Sequence, residues 1–268
     1  MNRLIVFMVM LLMTCSHSFS AEVVKVYLLA GQSNMHGQGA TADLPAELQS
    51  PQQAVLFFYA GNSSLTTLRP GSGKQFGPEI SFGRTIADAL PAESFALIKR
   101  AKGGTNMKTD WNPEVEDNVY SDFRATVAEG LAAMESAGYS PRIVGMLWTQ
   151  GERDAKINRS TAQYEADLNR FIADIRVRYG ENLPFFISRL SLKQTSISAG
   201  QLQNIRTAQE NVAESDAHTK PIDTDEFSVK SDNLHFDSAG QLALGQAFAD
   251  SFLQGVNKES ALIESINE

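Results

Sequence analysis

Apolar runs of strand length alternate along this chain with longer stretches of helical periodicity. Residues 23–29, 54–59, 95–99, 143–148 and 183–190 read as buried strands. Residues 79–90, 119–137, 162–179, 201–213 and 238–253 carry apolar positions at the spacing of one helix face. Such alternation predicts an α/β fold, a parallel sheet covered by helices on both faces. The punctuation agrees: Pro78 suits a first helical turn, Gly138 and Gly180 follow helical stretches, and Asp237 or Ser238 can cap the last helix. Residues 61–77 and 101–118 carry neither period and are expected to be long surface loops of the kind that border a site on a rigid sheet.

The first twenty residues stand outside this pattern. Asn2 and Arg3 make a short basic start, residues 4–13 are an unbroken apolar run, and Ser18-Phe19-Ser20 offers small residues before Ala21. This is the layout of a cleaved secretory leader, since ten apolar residues are too few to cross a bilayer. Lipid attachment at Cys15 is the rival, but Thr14 is bulkier than the small residue such a site uses. From residue 21 onward no repeat, charge block or linker divides the chain, so residues 21–268 are expected to form a single domain.

Composition then removes whole classes of function. Of 268 residues, 43% are hydrophobic and 20% charged, enough to bury a real core. Lys+Arg 23 against Asp+Glu 31 gives a net charge of −8, or −9 once Arg3 leaves with the leader. An acidic chain is a poor partner for nucleic acid, which is held by cationic surfaces that release counterions. No long apolar run follows the leader, so no membrane span is expected in the mature form, and no protein partner is implied. Cys15 is the only cysteine, so the mature chain is expected to lack disulfides, thiolate nucleophiles and Cys-ligated zinc.

Open α/β sheets bind ligands at the carboxyl ends of their strands, and four polar clusters fall there. Gly31-Gln32-Ser33-Asn34-Met35 follows the first strand, and Lys102-Gly103-Gly104-Thr105 the third. Gln150-Gly151-Glu152-Arg153-Asp154 follows the fourth, and Asp232-Asn233-Leu234-His235 precedes the last helix. Together they supply the parts of an acyl-transfer site. A serine needs a base to take its proton, and the base needs a carboxylate to hold its tautomer. Ser33 is the candidate nucleophile. Of the mature chain's histidines, His36 reads as a wall residue and His218 as a loop residue, while His235 has Asp232 three residues upstream. Glu152 is a second acid able to reach His235. Oxyanion donors are expected from the Ser33 N–H, the Gly103 or Gly104 N–H and the Gln150 side-chain amide. Trp111, in a loop that looks exposed, is a candidate sugar platform, and Trp148 reads as packing. Asp232, His235 and Asp237 lack a matched second histidine, so no metal is expected, and the chemistry requires no cofactor.

These four blocks, extended to Trp148-Thr149-Gln150-Gly151-Glu152-Arg153-Asp154 and Asp232-Asn233-Leu234-His235-Phe236, resemble in order the conserved blocks of the SGNH hydrolase superfamily. Within it they look most like carbohydrate esterase family 6 acetylxylan esterases and the related sialate O-acetylesterase domains. The likeness spans residues 23 to about 253. It implies a three-layer α/β/α sandwich with a central parallel sheet, the flavodoxin-like SGNH hydrolase fold. It also implies Ser33, Asp232 and His235 as triad, with Gln150 standing where other branches carry asparagine. The expectation is a secreted serine esterase removing O-acetyl groups from a carbohydrate. The alternatives are a lipase or thioesterase on the same fold and a non-catalytic glycan-binding module.

Overall fold

The structure, a computed structural model, describes residues 21–61, 64–70 and 74–267, with side chains described as far as 255. The expected leader lies outside the described residues. Strand β1 (Glu22–Gly31) is the centre of the molecule. It is apolar almost throughout because it is buried on both faces: Val24, Val26, Leu28 and Ala30 enter one core layer, Tyr27 and Leu29 the other. After it come helix α1 (Ser33–His36), the two-residue strand β2 (Gly39–Ala40), α2 (Ala46–Gln49), β3 (Gln52–Tyr59), β4 (Thr66–Leu68) and β5 (Gln75–Phe76). Next are α3 (Glu79–Ala89), β6 (Ser94–Ala101), α4 (Val119–Ser136), β7 (Tyr139–Thr149), α5 (Glu152–Lys156) and α6 (Thr161–Tyr179). The chain closes with β8 (Phe185–Ser188), α7 (Ala199–Ser215), β9 (Thr219–Ile222) and α8 (Ser238–Asn267).

Seven strands form one sheet in the order β4-β3-β6-β1-β7-β8-β9. Every pairing is parallel except that of β4 on β3. Leaving aside β3 and β4 at one edge, the remaining strands run 2-1-3-4-5, the flavodoxin-like order. One face is covered by α4, α6 and α7, which bury Phe123, Phe171, Ile172, Leu202 and Ile205 among others. The other is covered by α3 and α8 through Ile80, Phe82, Leu244 and Phe248. The expected three layers are therefore present, and no described helix is long and apolar enough to cross a membrane.

Helices α3, α4, α6 and α7 lie within a few residues of the periodic stretches, whereas α8 starts where expected but runs on to Asn267, past residue 253; Asp237 caps it by accepting from Gly240 N–H at 2.9 Å. The differences are short elements. Strand β9 carries a lysine and a proline in four residues and has no apolar period of its own; it is a strand because β8 offers it an edge. Strands β4 and β5 lie inside residues 61–77, expected as loop, and each exists only through its pairing, β4 with the preceding strand β3 and β5 with β2. The segment 102–118 has no regular element but is not simply a surface loop, since Thr105, Met107 and Trp111 are buried.

Topology sets where a ligand can bind. From β1 the chain first builds the side containing β3 and β6 and then crosses to β7, so the loops diverge at the carboxyl end of β1. Gly31 lets the strands meet there. Its φ is +145°, and a Cβ on it would fall 2.0 Å from the Thr149 carbonyl oxygen, so only glycine fits. The next residue's N–H donates to that same carbonyl at 2.8 Å, and α1 starts immediately afterwards with Ser33.

Candidate active site

Ser33, His235 and Asp232 form one hydrogen-bonded line. Ser33 Oγ lies 3.0 Å from His235 Nε2, and His235 Nδ1 lies 2.7 Å from Asp232 Oδ2. With the proton on Nδ1 donated to the carboxylate, Nε2 is left to accept from the serine hydroxyl. The local fold of residues 230–235 makes the Asp–His half. Asp232 Oδ1 accepts from the N–H groups of Leu234 and His235, each at 2.9 Å, while Asn233 takes the left-handed backbone (φ +50°) that asparagine tolerates. Burial works against the Asp232 charge, but the hydrogen bonds from the His235 N–H, its ring and the Leu234 N–H outweigh it and hold the carboxyl down at about 2. Of the two acids offered by the sequence, Asp232 is the one on the imidazole.

Glu152 sits elsewhere. It is buried, with Oε1 accepting from Asn34 Nδ2 at 2.6 Å and Gln194 Nε2 at 3.3 Å. Burial raises its pKa, against the hydrogen bonds that favour its charge. Both amides also grip the backbone around His235. Asn34 Oδ1 accepts from Phe236 N–H at 2.9 Å, and Gln194 Nε2 donates to Leu234 O at 2.8 Å. Asn34 lies inside a recognised block without a role assigned to it. Gln194 lies in a stretch with no motif, and no sequence signal pointed to it.

The two glycines separate. A Cβ on Gly103 would meet Ser33 Cβ at 3.6 Å, so its backbone lies directly against the serine; Gly104 turns away with φ +73° and nothing within 4 Å. Among the described residues neither Ser33 N–H nor Gly103 N–H has a protein acceptor.

Two expectations are overturned. Gln150 is fully buried, and its amide donates to Thr105 O at 2.9 Å and to Asp154 Oδ2 at 2.6 Å, while Tyr164 Oη donates to its Oε1 at 2.9 Å. Committed on both ends, it holds the loop bearing Gly103 rather than pointing at an oxyanion. Asp154 adds to that grip by accepting from Met107 N–H at 3.1 Å, and burial raises its pKa to about 6. Trp111 is not an exposed platform. It packs edge-on against Trp148 at 5.0 Å and donates from Nε1 to Thr105 Oγ1 at 2.9 Å. Asp237, two residues after His235, caps α8, and no group of three or more His, Cys, Asp or Glu converges as a metal set among the described residues.

Comparison with known proteins places the chain. The family model described as carbohydrate esterase, sialic acid-specific acetylesterase, matches residues 23–254. A probable carbohydrate esterase of Arabidopsis thaliana is 27% identical over 252 residues, covering 85% of this chain and 90% of that protein. The X-ray structure of an Arabidopsis thaliana protein superposes with a TM-score of 0.70 at 22% identity, covering 86% of this chain and 98% of the other. A carbohydrate acetylesterase from Xanthomonas citri gives 0.62 at 17% identity over 84% of this chain and 55% of its own, and NanS gives 0.61 at 14% over 90% and 99%.

Proposed function

Since this chain belongs to the sialic acid-specific acetylesterase family of carbohydrate esterases, and is by that an ester hydrolase, we propose that Ser33, His235 and Asp232 are its catalytic triad, acting on O-acetyl groups of a carbohydrate. The observation that carries the reading is the unbroken line from Ser33 Oγ through His235 to Asp232, at 3.0 and 2.7 Å.

Ser33 Oγ attacks the acetyl carbonyl carbon and gives its proton to His235 Nε2. The negative charge passes to the carbonyl oxygen, where the free N–H groups of Ser33 and Gly103 receive it. Collapse expels the sugar oxygen, which takes the proton back from His235 and leaves as an alcohol. Water then attacks the acetyl-serine with His235 as base, releasing acetate and restoring Ser33. Asp232 keeps Nδ1 protonated and balances the imidazolium that forms twice in each cycle. Gln150 and Asp154 hold the Gly103 loop, and Asn34, Gln194 and Glu152 hold the His235 loop.

We further propose that residues 1–20 are a secretory leader and residues 21–268 the secreted or periplasmic enzyme, with acetylxylan-type and sialate-type esters as the substrates to try first. Intact mass of the exported protein should begin at Ala21 or Glu22; retention of Met1 or lipid on Cys15 refutes the leader. Acetate release across a panel of acetylated glycans tests the activity. Ser33→Ala should lose several orders of magnitude in turnover while folding normally. Near-normal acetate release from that variant would end the serine esterase reading.

A further inference from the structure

The acetyl group is the common part of every candidate substrate, so discrimination must come from surfaces that meet the sugar. Trp111, the aromatic expected to do this, is sealed in the core. An aromatic wall lies instead beside the nucleophile. His36 ends the short helix that Ser33 begins; three residues apart on one helix, their side chains share a face with Cβ atoms about 5–6 Å apart. The His36 ring is exposed and leans on Tyr59 with centroids 6.3 Å apart at 56°. Half-buried Tyr59 in turn stacks on Phe57, itself only partly buried, at 6.2 Å and 21°, so the wall runs from part-buried Phe57 out to exposed His36 at the carboxyl end of β3.

The wall is fixed from beneath. Buried Lys99 donates to His36 O at 3.0 Å, lies 5.8 Å from the centre of the Tyr59 ring, and is itself held by Glu79 at 2.5 Å. Glu79 also accepts from Gly77 N–H at 3.1 Å. One ammonium thus ties down the backbone of one ring and the face of the next, and little conformational entropy is left to lose on binding. Neither His36 ring nitrogen hydrogen-bonds to a described residue, which leaves a donor and an acceptor for sugar hydroxyls. Partial desolvation, then the Lys99 charge, lower the His36 pKa, so at neutral pH the ring is an uncharged, amphipathic surface.

Resting on the carbohydrate esterase reading above, we propose that His36 and Tyr59 are specificity-determining residues, a stacking wall that takes the apolar C–H face of the pyranose bearing the acetyl group. A simple aryl acetate has no sugar ring to place there, whereas an acetylated glycan does.

The test compares kcat/KM for the acetylated glycan that wild type hydrolyses fastest with kcat/KM for p-nitrophenyl acetate. In His36→Ala and in Tyr59→Ala the ratio of glycan to aryl acetate should fall about tenfold, chiefly through KM, and His36→Phe should recover most of it. His36 is exposed, so its variants fold even where Tyr59→Ala does not. A ratio within threefold of wild type in His36→Ala, or an equal loss on both substrates, overturns the wall while leaving the esterase reading intact. A wild type that cleaves p-nitrophenyl acetate but no glycan overturns the carbohydrate reading, and the wall with it.

Discussion

Asn34, the residue after the candidate nucleophile, accepts at 2.9 Å from the backbone N–H of Phe236, the residue after the candidate base. The two are separated by 202 positions in the chain, yet this bond and the 3.0 Å bond between Ser33 and His235 run in parallel. The neighbours' bond thus holds serine and histidine in register. Replacing Asn34 by Ala removes that backbone anchor and one of the donors to buried Glu152. Turnover should fall about 10–100-fold, as for groups that orient a functional side chain without touching substrate. The thermal midpoint should fall as well, since a buried carboxyl loses a partner. Steady-state kinetics beside a thermal melt separates the two effects.

The two acids near His235 should differ sharply in cost. Asp232→Asn leaves the imidazole in the wrong tautomer, a change that costs about 10⁴ in turnover in a comparable triad. Glu152→Gln keeps the acceptor for Asn34 and Gln194 while removing a buried charge, and should cost about 10–100-fold. Turnover of both, with folding checked by circular dichroism, ranks them. A Glu152→Gln variant tenfold worse than Asp232→Asn would reverse the assignment.

Asp154 makes a prediction about pH and stability. Its pKa is about 6 in the folded protein and near 3.9 when unfolded, so between those values the folded state holds more protons. Stability should therefore decline as pH rises from about 4 to about 6, and this part of the slope should vanish in Asp154→Asn. Urea midpoints measured across that range report it directly.

Lys99 and Glu79 form a buried ion pair, and such pairs are costly to break and cheap to replace. Lys99→Met should destabilise by about 3–5 kcal/mol because it strands a buried carboxylate. Lys99→Met combined with Glu79→Leu should recover much of that loss. Chemical denaturation of the single and double variants measures both.

Whatever depends on near neighbours can be read from the pattern of residues alone. The apolar run of β1 marks a strand buried on both faces, and the periods of α3, α4, α6 and α7 mark helices with one apolar face. Asp232 and His235 were legible as a pair because they lie three positions apart, and a tight turn closes such a distance at little entropic cost. Ser33 was legible because it follows a strand end.

The remainder waited on the tertiary structure, because a side chain's direction and burial are set by groups far away in the chain. Gln150 looks like an oxyanion donor until Thr105, 45 positions earlier, and Asp154 take its amide. Trp111 looks exposed until Trp148 and Phe171 close over it. Strand β9 has no pattern until β8 pairs with it, and Gln194 carries no signal until the fold sets its amide against Leu234 and Glu152. In each case the residue type allows several partners at similar local cost, and only the packed chain leaves one of them within reach.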